Sequence, residues 1–382
     1  MPESHKRHYI MSELIRVGIT HGDINGVGYE VILKALADPM ITDLFTPVIY
    51  GMTDVAEKCR EMLQLNDMQI HIAKDTSEIK DGRINLIPVA EGETLVQPGI
   101  IDKEAGRLAV KSLEKAVESL KDGDIDVLVT APISKESVQS EEFNFPGHTE
   151  FLEASLGEGE KAMMILCNRD MRVALLTIHI PLAEVAQSVT VDNIKSSVAI
   201  LADSLKKDFG IVRPTIAVLS LNPHAGDGGV IGKEEEEVIK PAIQDLNDEG
   251  ILAFGPYPAD GFFGHGSFHK FDGILAMYHD QGLAPFKSLA SGNGVNFTAG
   301  LPYVRTSPDH GTAFDIAWQG KADETSLREA IYLAIDIFRK REIFDEASAN
   351  PLKKYITEKP DRGERQEKSG ATKQPLTEET DD

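Results

Sequence analysis

Three times in this chain an apolar, strand-like run ends at a histidine. Val173 to Ile178 leads to His179, Thr215 to Leu221 leads through Asn222 and Pro223 to His224, and Ile274 to Tyr278 leads to His279. Short apolar runs closed by turn residues read as buried strands, and here they alternate with helical periodicities. That order fits a sheet covered by helices, so the expected class is α/β. In open α/β sheets ligands bind beyond the carboxyl ends of strands, where all three imidazoles would sit.

A lone loop histidine is commonly held by a backbone carbonyl, and that reading stays open for each of the three. Three with the same placement suit a divalent cation that keeps positions free for substrate, because imidazole nitrogen ligates zinc and similar ions. His279 also opens the stretch from Asp272 to Ile316, which sets Lys287, Asn296, Arg305 and His310 among glycines between apolar runs. Polar and glycine residues at strand ends have the profile of a site rather than a core.

The remaining segments continue the alternation. Ile15 to Thr20 reads as a first strand, followed by HGDINGVG and a helix from Tyr29 to Ala37. Gly22, Gly26 and Gly28 lack the spacing of a dinucleotide fingerprint, and Asp23 would repel a diphosphate; a substrate-side loop and a plain turn both remain. Pro47 to Tyr50, Ile84 to Val89 and Val127 to Val129 are further strands, and Lys103 to Lys121 is a helix stopped by Gly123. Met163 to Cys167 and Met171 to Ile178, joined by Asn168, Arg169 and Asp170, read as a hairpin, which brings an antiparallel part into a mixed sheet.

His148 and Thr149 precede a helix expected from Phe151 to Leu156, as donors at an anion site or as part of a capping turn. Asp192 to Phe209 and Glu234 to Asn247 are helical, the acidic start of the second suiting the helix dipole. GPYPAD, which contains Asp260, reads as a turn, and Ser326 with Glu329 as a capping box for a helix from Leu327 to Lys340.

With 39 Lys and Arg against 62 Asp and Glu, the formal charge of −23 argues against nucleic-acid binding. An anionic substrate then needs a local cationic pocket. From 351 to 382 apolar residues are sparse and 7 basic face 8 acidic residues, so that tail is expected to be disordered and the acidity to belong to the folded body. Two cysteines are too few for a disulfide framework, no apolar run approaches the roughly 18 residues of a membrane span, and the start lacks a signal-peptide block. A cytoplasmic protein with no membrane partner is expected, with Met11 as a candidate start. At 382 residues, two domains fit.

GHTEFL, LTIHIPL, LNPHAGDGGVIGKEE, GPYPAD, MYHDQGLAPFK, GVNFTAGLPYVRTSPDHGTA and GKAD, in this order, resemble the 4-hydroxythreonine-4-phosphate dehydrogenase family of vitamin B6 synthesis, from about Arg16 to Ile337. The resemblance implies a two-domain mixed-sheet fold like that of isocitrate and isopropylmalate dehydrogenases, with the site in the interdomain cleft. The expected division is 13–140 with 312–349 against 141–311. It also implies oxidation and decarboxylation of a small phosphorylated substrate with NAD, or NADP, and one divalent metal (Zn, Mg, Co or Mn), in a homodimer with a shared active site.

By motif, His179, His224 and His279 are the expected metal ligands, one of them reaching the site from the other subunit. His148, Thr149, Lys287, Asn296 and Arg305 are expected to contact substrate, and His310, Gly311, Thr312 and Ala313 to lie near the nucleotide. Lys287 and Asp260 are the candidates for proton transfer. The family usually has GDPAGIGPE in the first loop, where this chain has Gly22 to Glu30 as GDINGVGYE, and Trp318 stands where a glycine is common. Competing readings are a dehydrogenase of phosphorylated threonate or erythronate, a cis-dihydrodiol dehydrogenase, and a three-histidine metallohydrolase.

Overall fold

A computed structural model describes residues 14–350, apart from 141, 142 and 146. The N-terminal arm and the tail expected to be disordered lie outside the described residues. Twelve strands form one sheet: β1 (Arg16–Thr20), β2 (Thr46–Gly51), β3 (Ile70–Ile72), β4 (Ile84–Pro88), β5 (Val127–Thr130), β6 (Met163–Cys167), β7 (Arg172–Leu175), β8 (Thr215–Leu219), β9 (Leu252–Tyr257), β10 (Gly273–Ala276), β11 (Val295–Ala299) and β12 (Val304–Pro308). Their order is β3-β4-β2-β1-β5-β12-β11-β6-β7-β10-β8-β9. This is the mixed α/β class that the strand and helix alternation predicts.

Two parallel wings make up the sheet, one from β3 to β12 and the other from β7 to β9. Between them β11 runs antiparallel to both β12 and β6, and β6 forms the expected hairpin with β7. The wings therefore point in opposite directions, and the antiparallel strands form a seam at the centre.

Period-two alternation divides the apolar side chains between the faces. Val17, Ile19, Ile49, Val127 and Val129 join one cluster with the helices Gly28–Ala35, Val191–Lys207 and Thr325–Ala349. Val48, Tyr50 and Leu128 join the helices Lys103–Asp122 and His148–Leu156 on the other face, and Val173, Leu175, Ile274 and Ala276 pack on the helices Ala259–Gly264 and His279–Ala290. Strands covered on both faces lose polar alternation, which is why they stand out as continuous apolar runs.

Several local expectations change. The last helix begins at Thr325 and extends to Ala349, with Asp323 Oδ1 accepting from the Thr325 N–H at 2.8 Å. Ser326 makes no capping box: its hydroxyl donates to the Gly294 carbonyl at 2.6 Å and accepts from the Asp309 N–H at 2.9 Å. A tertiary partner outcompeted the local one. The acidic helix opens with one π turn, Glu235–Ile239, before Lys240–Asp248. GPYPAD is partly strand, since β9 runs through Tyr257, and His279 begins a helix where a turn is expected. Among the described residues no helix is long and apolar enough to cross a membrane.

Candidate active site

The seam strands carry polar residues where a buried sheet should be apolar. In β11, Asn296 and Thr298 alternate with Val295, Phe297 and Ala299; in β12, Arg305 and Ser307 alternate with Val304 and Thr306. Asn296 pairs with Ser307 and Leu166, Thr298 with Met164, and Arg305 with Leu128, so these polar side chains share one face at the centre of the sheet.

Arg305 is 2% exposed. Its Nε and Nη2 donate to Thr130 Oγ1 at 3.2 and 2.6 Å, and its Nη1 donates to Thr298 Oγ1 at 3.0 Å. No carboxylate among the described residues forms an ion pair with it. Burial pushes its pKa down to about 9, against the opposing pull of Glu150, so the guanidinium stays charged at neutral pH.

A cavity of about 230 Å³ opens over this arginine, bounded by His148, Thr149, Glu150, His179, Asn296 and His310. His148 and Thr149 open the helix His148–Leu156, so that helix begins at the motif and not at Phe151. His148 Nε2, Asn296 Oδ1 and His310 Nε2 are buried without a partner among the described residues. Buried polar groups are normally satisfied, so three orphans beside a buried cation mark a place for an anionic, hydrogen-bonding ligand. Desolvation and the neighbouring Arg305 hold the His148 imidazole well below its ordinary pKa, which keeps it neutral. Glu150 is held below the usual carboxylate range chiefly by the neighbouring His179, whose Nδ1 lies 3.8 Å from Glu150 Oε1, a contact too long for a hydrogen bond.

The three histidine-bearing strands, β7, β10 and β8, are adjacent and parallel, and their carboxyl ends face one edge. Within the chain this edge brings two of the rings together. His179 and His279 have centroids 6.3 Å apart, and His279 Nδ1 lies 2.7 Å from Asp280 Oδ1, which leaves its Nε2 for a ligand. With nitrogen about 2 Å from an ion, two ligating rings have centroids roughly 5 to 6 Å apart, so the pair is close to a shared cation.

His224 does not join them: among the described residues no three His, Cys, Asp or Glu side chains are grouped to hold a metal. It is exposed, on a left-handed loop in which His224, Ala225, Gly226, Asp227 and Gly228 all have φ between 45° and 76°. Buried Glu235 anchors this loop, accepting from the N–H groups of Leu221 and Asn222 at 2.9 and 2.7 Å.

On the other side of His310 lies a second cavity of about 350 Å³, lined by Val27, Val31, Ala290, Ala313 and Ile316. His310 borders both cavities, while Gly311 lines the smaller one. Thr312 turns its carbonyl to the Val27 N–H at 3.0 Å, and a Cβ on Gly26 would come within 2.8 Å of that oxygen. The first glycine loop is thus a back wall for the loop His310 to Ala313. Asp23 is buried in it, accepting from Ser137 Oγ at 3.0 Å, with its pKa raised by burial.

Two expected participants lie apart from Arg305. Lys287 borders the larger cavity, with Nζ 3.0 Å from Asp309 Oδ1, and Asp260 is exposed and lines neither cavity. Thr130, Lys135, Glu150 and Ser307 line the smaller cavity without having been assigned to it from sequence. The alternation Arg305-Thr306-Ser307 was the available signal for Ser307.

A family model described as pyridoxal phosphate biosynthetic protein PdxA matches residues 43–334. A 4-hydroxythreonine-4-phosphate dehydrogenase of Bacteroides thetaiotaomicron is 54% identical over 347 residues, covering 91% of this chain and 95% of that protein. A protein of Oceanobacillus iheyensis, provisionally named a D-threonate 4-phosphate dehydrogenase, is 38% identical over 86% of this chain and 99% of its own length. A crystal structure of 4-hydroxythreonine-4-phosphate dehydrogenase from Klebsiella pneumoniae superposes with a TM-score of 0.73 at 34% identity, covering 85% of this chain and 98% of that one.

Proposed function

The chain belongs to the PdxA family, and from that premise we propose that it oxidises and decarboxylates 4-phosphohydroxy-L-threonine with NAD, yielding 3-amino-2-oxopropyl phosphate for pyridoxal 5′-phosphate synthesis. The observation that carries this reading is the buried Arg305 under a cavity with three unpartnered polar atoms. An acidic protein that keeps in its core a guanidinium with no ion-pair partner among the described residues supports binding of a small anion there. Arg305, with His148 and Thr149 at the helix start, holds the phosphate or carboxylate, and Asn296 orients the polar carbon chain.

In this reading His179, His279 and a partner copy's third histidine would hold a divalent cation, which would supply Lewis acidity at the substrate hydroxyl, and NAD would supply the hydride acceptor. The chain's own part is placement. Residues at the smaller cavity fix the substrate, and the loop His310 to Ala313 separates it from the nucleotide. Loss of the hydroxyl proton and the C3 hydride gives 2-amino-3-oxo-4-(phosphooxy)butanoate. Its C1 carboxylate then leaves as carbon dioxide, and C2 takes a proton. Lys287 and Asp260 remain the candidates for proton transfer; Lys287 must first leave Asp309, and Asp260 must be brought in from the surface. His224 serves the site of a second copy, so the working unit is a homodimer in the cytoplasm.

A second reading replaces the substrate with D-threonate 4-phosphate, and the 38% identical relative favours it. The test measures NADH formation with each substrate, NAD and a divalent metal. Faster turnover of the hydroxythreonine ester is expected; preference for the threonate ester would transfer the assignment, and no turnover of either would refute both.

A further inference from the structure

Asp323 lines the larger cavity beside His310, together with Ala322 and Ser326. We propose that Asp323 makes the chain selective for the dinucleotide with a free 2′-hydroxyl on its adenosine ribose, and excludes the 2′-phosphorylated form. This rests on the dinucleotide reading above, and adds which form binds and which residue decides.

The nicotinamide has to meet the substrate over Arg305, so the rest of the dinucleotide extends past His310 into the larger cavity, where Val27, Val31 and Ile316 suit an adenine. A 2′-phosphate there would need a free cation. Among the described residues lining that cavity, Lys287 is the one lysine or arginine, and Asp309 already engages it through its carboxylate and, at 3.2 Å, its carbonyl.

The cations that act on Asp323 from outside are committed as well. Lys34 Nζ contacts Glu30 Oε1 at 2.9 Å and the carbonyls of Gly320 and Ala322 at 2.8 and 2.7 Å, and Arg328 pairs with Glu324 at 3.1 Å.

A helix N-terminus can also hold phosphate, and the helix Thr325–Ala349 starts at this wall. Asp323 occupies that terminus, taking the Thr325 N–H. Hydrogen bonds from Thr325 hold its carboxyl below the usual range, so it is ionised at neutral pH. A carboxylate has about four lone-pair sites, which leaves acceptors for a ribose hydroxyl, whereas a phosphate would meet a like charge.

The test is calorimetric titration of the full-length protein with NAD and, separately, NADP. NADP is expected to bind about tenfold or more weakly than NAD. Asp323→Ser, whose hydroxyl can still cap the helix, should bring the two within about threefold by strengthening NADP. Asp323→Glu should keep the preference. Equal affinities in the parent protein, or an unchanged ratio in Asp323→Ser, would overturn the proposal while NAD binding stood. Absence of binding by either dinucleotide would remove the nucleotide reading together with it.

Discussion

Replacing Arg305 by Met separates what this side chain does for binding from what it does for stability. A guanidinium has five N–H donors, and Thr130 and Thr298 take three, which leaves two for a ligand. A hydrogen bond to a charged group is worth about 1.5–3 kcal/mol. Two such bonds to one anion, counted as partly redundant, give about 3–4 kcal/mol, so Arg305→Met should lower kcat/KM by about 10²–10³, mostly through KM.

Stability should respond in the opposite sense or hardly at all. The free protein buries a cation with no ion-pair partner among the described residues, and an apolar side chain of similar length removes that cost while giving up three bonds to hydroxyls. The net change should lie within about 2 kcal/mol. Steady-state kinetics and thermal unfolding of the same preparation decide the matter. Wild-type kcat/KM at an unchanged Tm would refute the anion clamp, and loss of the folded state in both Arg305→Met and Arg305→Lys would make Arg305 a structural residue.

His279→Ala and His224→Ala should each lose metal and turnover while keeping NAD affinity. If His224 crosses between copies, mixing and reassembling the two inactive variants should restore about a quarter of wild-type activity, because half the dimers would be hybrids with one intact site; no recovery would place His224 in its own chain's site. His21 is fully buried, and burial lowers its pKa from 6.5 to about 4. The unfolded chain then takes a proton first as pH falls, so this contribution is complete above pH 6.5 and is lost towards pH 4, amounting to about 3 kcal/mol. Denaturant unfolding across that window should show the slope, and the same slope in His21→Phe would refute it. A Cβ at Gly106 would lie 2.0 Å from the Ser137 carbonyl, so Gly106→Ala should destabilise by about 2 kcal/mol, measured as a fall in urea midpoint.

Much of the fold was legible because the strands are covered on both faces. β2, β5 and β8 read as largely apolar runs, β1 and β4 as apolar runs broken only by Arg16 and Thr20 at the ends of one and Asn85 within the other, and the helix Lys103–Asp122 has an apolar stripe closed by Gly123 at φ 77°. β3 escaped detection because Ile70-His71-Ile72 is three residues long and only partly buried. Ser326 misled because S-x-x-E describes a local contact, whereas its hydroxyl is taken by Gly294 and Asp309 from elsewhere in the chain. The opposed directions of the two wings follow from pairings between β11 and β6 and between β12 and β5, which no local window contains.

The candidate site was legible to the extent that function shows itself as broken rules. Asn296, Thr298, Arg305 and Ser307 interrupt the apolar face of a central sheet, and each histidine follows a strand. Equal sequence placement did not give equal positions in space. His279 starts a helix three residues past β10, His179 lies four past β7, and His224 lies five past β8 on a loop whose left-handed turn is anchored by Glu235. The first two therefore meet within the chain, and the third is carried away from them. A two-fold interface in which each copy lends His224 to the other's pair would satisfy both sites with one contact, and this is the arrangement that the hybrid experiment tests.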